Sequence, residues 1–186
     1  MEINENIKLY LDSFENRVNG ELVRLFAAHR PVDGILPSSQ DVEERWKVLA
    51  PEYMADAVPQ VKDYPTVSVA WASYLGMAIA WGWDTDWNLC KQDPYTSYYG
   101  KQGFDDMDEH IVYDMLGLTP DGYEARALEG IIRRCGETAV SLIRHEHIEP
   151  QSTTAFHVFA RACRVMYRIG AAIELKRLGY KFEKLN

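Results

Sequence analysis

The stretch YPTVSVAWASYLGMAIAWGW, residues 64–83, decides the fold, because its twenty residues carry no charge and lie between Asp63 and Asp84. Its apolar positions do not alternate as those of a half-buried strand would; they fall into rows at four-residue steps. Val67, Trp71, Leu75, Ile79 and Trp83 make a bulky row, and Ser68, Ala72, Gly76 and Ala80 make a small row beside it. Pro65 suits a first helical position, where its missing N–H would be unpaired anyway. The spacing predicts a buried central helix near 65–83, with a small ridge that lets a neighbouring helix approach closely. Twenty uncharged residues could also span a bilayer. The stretch is rich in Ala, Gly and Ser, has one Leu and one Ile, and lacks a polybasic flank, so a membrane span is rejected.

Toward the N-terminus, Ile3, Ile7, Leu11, Phe14, Val18, Leu22 and Phe26 recur at helical steps and predict an amphipathic helix over 3–29, ended by Pro31. The segment RPVDGILPSS reads as a loop. Ser39 is a plausible cap for a second helix, with Asp41, Glu43 and Glu44 near its positive end. Pro51 is expected to begin a separate short helix over 51–62. Trp46, Leu49, Tyr53, Met54 and Val58 are its core candidates.

Toward the C-terminus, residues 84–110 form an irregular aromatic and acidic loop, followed by a helix over about 105–116 that Gly117 ends. Thr119 is expected to cap a helix over 120–144, and Ser152 or Thr153 the last one, through Leu178. Phe156, Phe159, Cys163, Met166, Tyr167 and Gly170 lie on the inner face of that last helix. No strand pattern and no repeat is evident. The fold expected is all-α: residues 1–186 as a single-domain bundle of five to seven helices around the central one.

The composition is that of a soluble globular chain, with 47% apolar and 26% charged residues among 186. A net charge of −8 argues against nucleic acid and against anionic lipid. The charge is uneven: residues 1–118 carry 9 basic and 20 acidic side chains, and residues 119–186 carry 11 and 8. The plainer reading is that the acidic front half packs against the basic back half; the sharper one is an acidic face for a partner. Cys90, Cys135 and Cys163 form no CxxC pair, so neither a disulfide framework nor a zinc knuckle is expected. The polar start MEINENIKLYLD has no signal-peptide pattern, and the cytoplasm is the expected compartment.

Four constellations could carry chemistry. Asp106, His110 and Asp114, four apart on a helix, could bind a divalent metal, although a solvated acidic face is the preferred reading. Trp83, Asp84, Trp87, Tyr98 and Tyr99, with Trp81 and Tyr95, could line a pocket for a cationic or sugar-like ligand, or plug the end of the core. His145 and His147, two apart, do not share a helix face, and His157 reads as a simple surface or core histidine. Arg161, Arg164 and Arg168 form a stripe that could clamp an anion or, by preference, pair with the acids of 105–109. No Glu-x-x-His, HExxH, nucleophile elbow, phosphate loop or dinucleotide fingerprint is present. No catalytic residue and no cofactor is assigned. The functional expectation is a non-enzymatic protein-interaction module with an acidic face. The alternative is a ligand- or divalent-metal-binding bundle, conceivably a hydrolase, with its site in 84–110. A homodimer through the small ridge is also allowed.

Overall fold

The computed structural model describes residues 4–27 and 39–180. Among the described residues six helices pack together, joined by 3-10 turns at Val58–Gln60 and Tyr95–Tyr98: α1 (Glu5–Ala27), α2 (Gln40–Ala57), α3 (Pro65–Cys90), α4 (Met107–Glu109, running on as a π-helix over His110–Met115), α5 (Tyr123–His145) and α6 (Thr153–Arg177). Among the described residues there is no strand, only an isolated bridge between Gly100 and Gly103. The loop expected over 30–39 falls outside the described residues except for Ser39.

The expected central helix is α3, and from Ser68 to Ala80 it is buried at every position but Trp71. No described helix is long and apolar enough to cross a membrane. The small ridge does what its spacing predicts. A Cβ built on Gly76 would sit 2.0 Å from the Tyr167 carbonyl oxygen, and one on Gly170 would sit 1.8 Å from that of Ser73. Backbone therefore meets backbone where α3 crosses α6, their most extensive partner in each case. Ser73 adds a hydrogen bond from its hydroxyl to Met166 O (3.0 Å). The ridge is thus occupied by α6 and is not free to serve as a dimer seam.

Residue pairs ascend together along both chains, so α3 and α6 run parallel: Ser68 with Cys163, Ser73 with Met166, Asp84 with Tyr180. α1 also runs parallel to α6, from Asp12 beside Arg161 to Phe26 beneath Lys176. α2 runs the other way along α3, with Tyr53 donating to Ser68 O (2.7 Å) and Asp41 accepting from Trp83 Nε1 (3.3 Å), and its N-terminal end is tied to α6 by Tyr167 donating to Val42 O (2.7 Å) and Arg168 to Glu43 (2.9 Å). α5 closes the remaining side of α3, where Gly136 lies against Thr66 and Ala70. Cys135 and Cys163 are buried core thiols, as expected.

Several boundaries differ from the sequence expectation, each for a local reason. α2 runs through Pro51 without a break. The carbonyl that Pro51 leaves unpaired belongs to Lys47, and both residues face solvent, where water can serve it. α3 extends past Trp83 to Cys90, with extended backbone at Asp86 (φ −162°, ψ 89°). Asp86 Oδ1 accepts from Leu89 N (3.3 Å), so this residue caps a final turn rather than opening a loop. α5 starts at Tyr123, not Pro120, because residues 119–122 first make a turn closed by Gly122 N donating to Thr119 O (3.0 Å). The expected stops hold: Gly117 (φ 74°) and Gly179 (φ 94°) take left-handed backbone, and Ser152 caps α6 by accepting from Ala155 N (3.1 Å).

Candidate functional site

Of the five residues proposed to line a ligand pocket, Trp83, Tyr98 and Tyr99 meet α2 at separate points, Asp84 meets Tyr180 beyond the end of α6, and Trp87 rests on the core. Trp83 Nε1 donates to Asp41 (3.3 Å), and its ring lies 5.5 Å from that of Tyr180, whose hydroxyl donates to Asp84 (2.5 Å). Tyr98 is buried beside Arg45, which donates to Asp93 O. Tyr95 and Tyr99 both donate to one oxygen of Asp56, at 2.9 and 2.5 Å. Burial and the Asp56 carboxylate push the Tyr99 hydroxyl up to about 12. From Asp41 to Asp56 is about 22 Å at the helical rise. Trp87 rests half-buried on the core. The aromatic segment thus lies as a cover on α2 and α3, with the hydroxyls of Tyr95 and Tyr99 and the indole nitrogen of Trp83 bonded to carboxylates of α2.

Asp106, expected to share a helix face with His110 and Asp114, precedes the helix and accepts from Gln102 N with both oxygens (3.0 and 3.1 Å). It thereby closes the turn over 100–106. His110 Nδ1 and Asp114 Oδ2 pair at 3.0 Å across the π-helix. Among the described residues no group of three or more His, Cys, Asp or Glu could hold a metal ion. The four-residue argument fails at Asp106, which precedes the helix, while His110 and Asp114 still meet. Nearby, burial raises the Asp108 carboxyl to about 6, with Glu109 and Glu129 adding repulsion. His145 is bonded to Ser141 O (2.8 Å), and His147 follows the helix end with φ 52°. His157 is half-buried against Phe156.

The arginine stripe on α6 pairs with acids, but not with those of 105–109. Arg161 donates to Asp12 and Glu15 (2.7 Å each), and Arg168 to Glu15 (3.3 Å) and Glu43 (2.9 Å). Arg164 stands 3.6 Å from Glu15. Glu15 is only 8% exposed and lies amid all three guanidinium groups. The acidic front half and the basic back half therefore do meet, through α1 and α2 instead of α4.

The concave surface that sequence reasoning missed lies on the other side of this stripe. Between the C-terminal half of α2 and the N-terminal half of α6 runs a groove of about 870 Å³. Trp46, Met54, Val58, Phe156 and Ala160 line its apolar part, with Lys47, Arg161 and Arg164 also on its walls. Val58 and Phe156, read from sequence as core, are 42% and 45% exposed. The signal was present in the sequence: both helices carry apolar residues on this side, and no helix among the described residues covers them. Large apolar side chains left exposed together in a hollow mark a binding surface more often than singly scattered ones do.

No known protein family matches the chain, and neither the curated proteins nor the solved structures yield a match.

Proposed function

We propose that this protein is a non-enzymatic binding module that receives a partner protein in the groove between α2 and α6. The observation that carries the proposal is the exposure of Val58 and Phe156 over the floor made by Trp46 and Met54. A groove of this size and lining falls in the range of ligand and docking sites. It carries no pairing of a nucleophile with a base. The acidic front half is less suited to be the partner-facing surface, since Asp12, Glu15 and Glu43 are engaged by α6 arginines. A ligand or metal in 84–110 is likewise less favoured, because Asp56, Asp84 and Asp106 are held by tyrosines and backbone. A cytoplasmic setting agrees with three free cysteines.

The test is a photo-crosslinking side chain placed at Phe156 in living cells, with the same group at the exposed Leu89 as control. A discrete protein adduct at position 156, absent at position 89 and suppressed by Val58→Asp, is the expected result. No adduct, or the same adducts at both positions, would refute the docking role. Far-UV circular dichroism establishes that the variants fold.

A further inference from the structure

We infer that the occupant of the α2–α6 groove is an amphipathic helix with an acidic flank, contributed by the partner; this rests on the reading of the groove as a protein-docking site. The walls are two helices, whose backbone groups are satisfied internally apart from the Lys47 carbonyl that Pro51 leaves unpaired. An extended peptide laid between them would find no strand edge to pair with, and its own N–H and C=O groups would lose water without replacement. A helical segment satisfies its backbone by itself, which is the logic of helix-in-groove recognition. The lining has the matching relief. Ala50, Ala55 and Ala160 separate the larger Trp46, Met54 and Phe156 and leave hollows for side chains spaced i, i+3, i+4 and i+7. The lining on α2 and the turn that follows it runs from Trp46 to Pro59, about 20 Å at the helical rise, which suits a helix of about three to four turns.

Charge selects the flank. The chain carries a net −8, yet among the described residues Lys47, Arg161 and Arg164 line the groove and no aspartate or glutamate does. Arg161 is already bonded to Asp12 and Glu15. Arg164 stands 3.6 Å from Glu15, beyond a normal hydrogen bond, and Lys47 meets the exposed Glu44 in a pair that contributes little. Carboxylates on an incoming helix would therefore find two cations with capacity to spare. A basic helix would meet like charge and be rejected, so the rim sets specificity as well as attraction.

The experiment is a display library of helix-forming peptides of about 20 residues, with randomised faces. It is selected on the full protein and counter-selected on Ala160→Trp, which fills the groove. Enriched sequences should carry apolar residues at helical spacing and an acidic flank. For a selected peptide, exchanging its acids for lysines should weaken binding about tenfold, and Lys47→Glu with Arg164→Gln should reproduce that loss. Enrichment of basic, proline-rich or extended sequences would overturn the inference. So would a concentration-dependent dimer abolished by Phe156→Glu, which would assign the groove to a second copy. If nothing is enriched while the adduct at position 156 persists, the helix inference fails and the docking role stands. If the adduct is also missing, both fall.

Discussion

Gly170→Ala adds one carbon at the crossing of α3 and α6, and the structure says where it goes. The new Cβ would lie 1.8 Å from Ser73 O, 2.5 Å from its carbonyl carbon and 2.7 Å from its Cα. Real contacts of this kind do not fall below about 3 Å, so the helices must separate by more than an ångström. The obstacle is backbone within a helix, which has no rotamer to change. Overpacking of a tight core costs typically 1–3 kcal/mol when side chains can adjust. Here they cannot, and separation also loosens Ala72, Leu75 and Met77 against α6 and lengthens the Ser73–Met166 hydrogen bond. Against this stands a gain of about 1 kcal/mol from replacing helical glycine with alanine. A net loss of about 3–5 kcal/mol is expected, a large share of a typical domain's total stability. Gly20→Ala and Gly130→Ala are the controls: both lie in helices with nothing within 4 Å of the new carbon, and each should stabilise by about 0.5–1 kcal/mol. Urea unfolding followed at 222 nm reads all three. A Gly170→Ala protein within about 1 kcal/mol of wild type would refute the backbone contact at this crossing.

Three further outcomes follow from the polar groups. Glu15→Gln removes the charge amid Arg161, Arg164 and Arg168, and should cost about 2–3 kcal/mol, between the buried and exposed limits because the arginines remain partly hydrated; an unchanged denaturation midpoint would show that the cluster adds nothing. Asp108 is held up at about 6 against an unfolded value of 3.8, so the folded state binds more protons in that interval and stability falls as pH rises from about 4 to 6. Asp108→Asn should remove this slope and stabilise at neutral pH by about 1 kcal/mol, discounted for its partial exposure; urea midpoints at pH 4.5 and 7.5, taken as rough brackets of that interval, would contradict this if the slope survived. Tyr95→Phe and Tyr99→Phe should each cost about 1 kcal/mol, and the double variant more than their sum, because both hydroxyls serve one Asp56 oxygen and the remaining bond offsets part of each single loss; strict additivity in the same unfolding assay would argue against the shared acceptor.

The helices were legible because their signals are local. Four-residue ridges, caps such as Ser39 and Ser152, and stops such as Gly117 and Gly179 act within a turn or two of chain, and the structure uses all of them. The small ridge also told which face of α3 would meet a neighbour, though not that the neighbour would be α6 running parallel. What was hidden depends on pairing across the chain. The charge asymmetry said that acids and bases would meet; only the arrangement of helices says that Glu15 and Glu43 reach the arginine stripe first. The expected face of Asp106, His110 and Asp114 fails at its first member, since Asp106 closes the turn from Gln102 before the helix begins, a role that its spacing from His110 does not mark. The groove was hidden for a related reason. An apolar face on a helix reads as core, and nothing in Val58 or Phe156 alone tells that no helix covers it.

The groove follows from how α2 is tied down. Its N-terminal half is fixed to α6 by the Tyr167 bond to Val42 O, the Arg168 bond to Glu43 and the stacking of Trp46 on Tyr167 at 5.0 Å. Its C-terminal half is bonded elsewhere: Tyr53 donates to Ser68 O on α3 (2.7 Å), and Asp56 takes the hydroxyls of Tyr95 and Tyr99. α6, for its part, is held against α3 by glycine contacts and against α1 by arginines. Closing the gap between Met54 and Phe156 would therefore require breaking bonds at one of these anchors. A hollow kept open in this way presents its apolar surface before any partner arrives, so an occupant need not reorganise the two helices to enter, and more of its contact energy is left for affinity. The aromatic segment over 84–110 supplies one of these anchors, through the hydroxyls that Tyr95 and Tyr99 donate to Asp56.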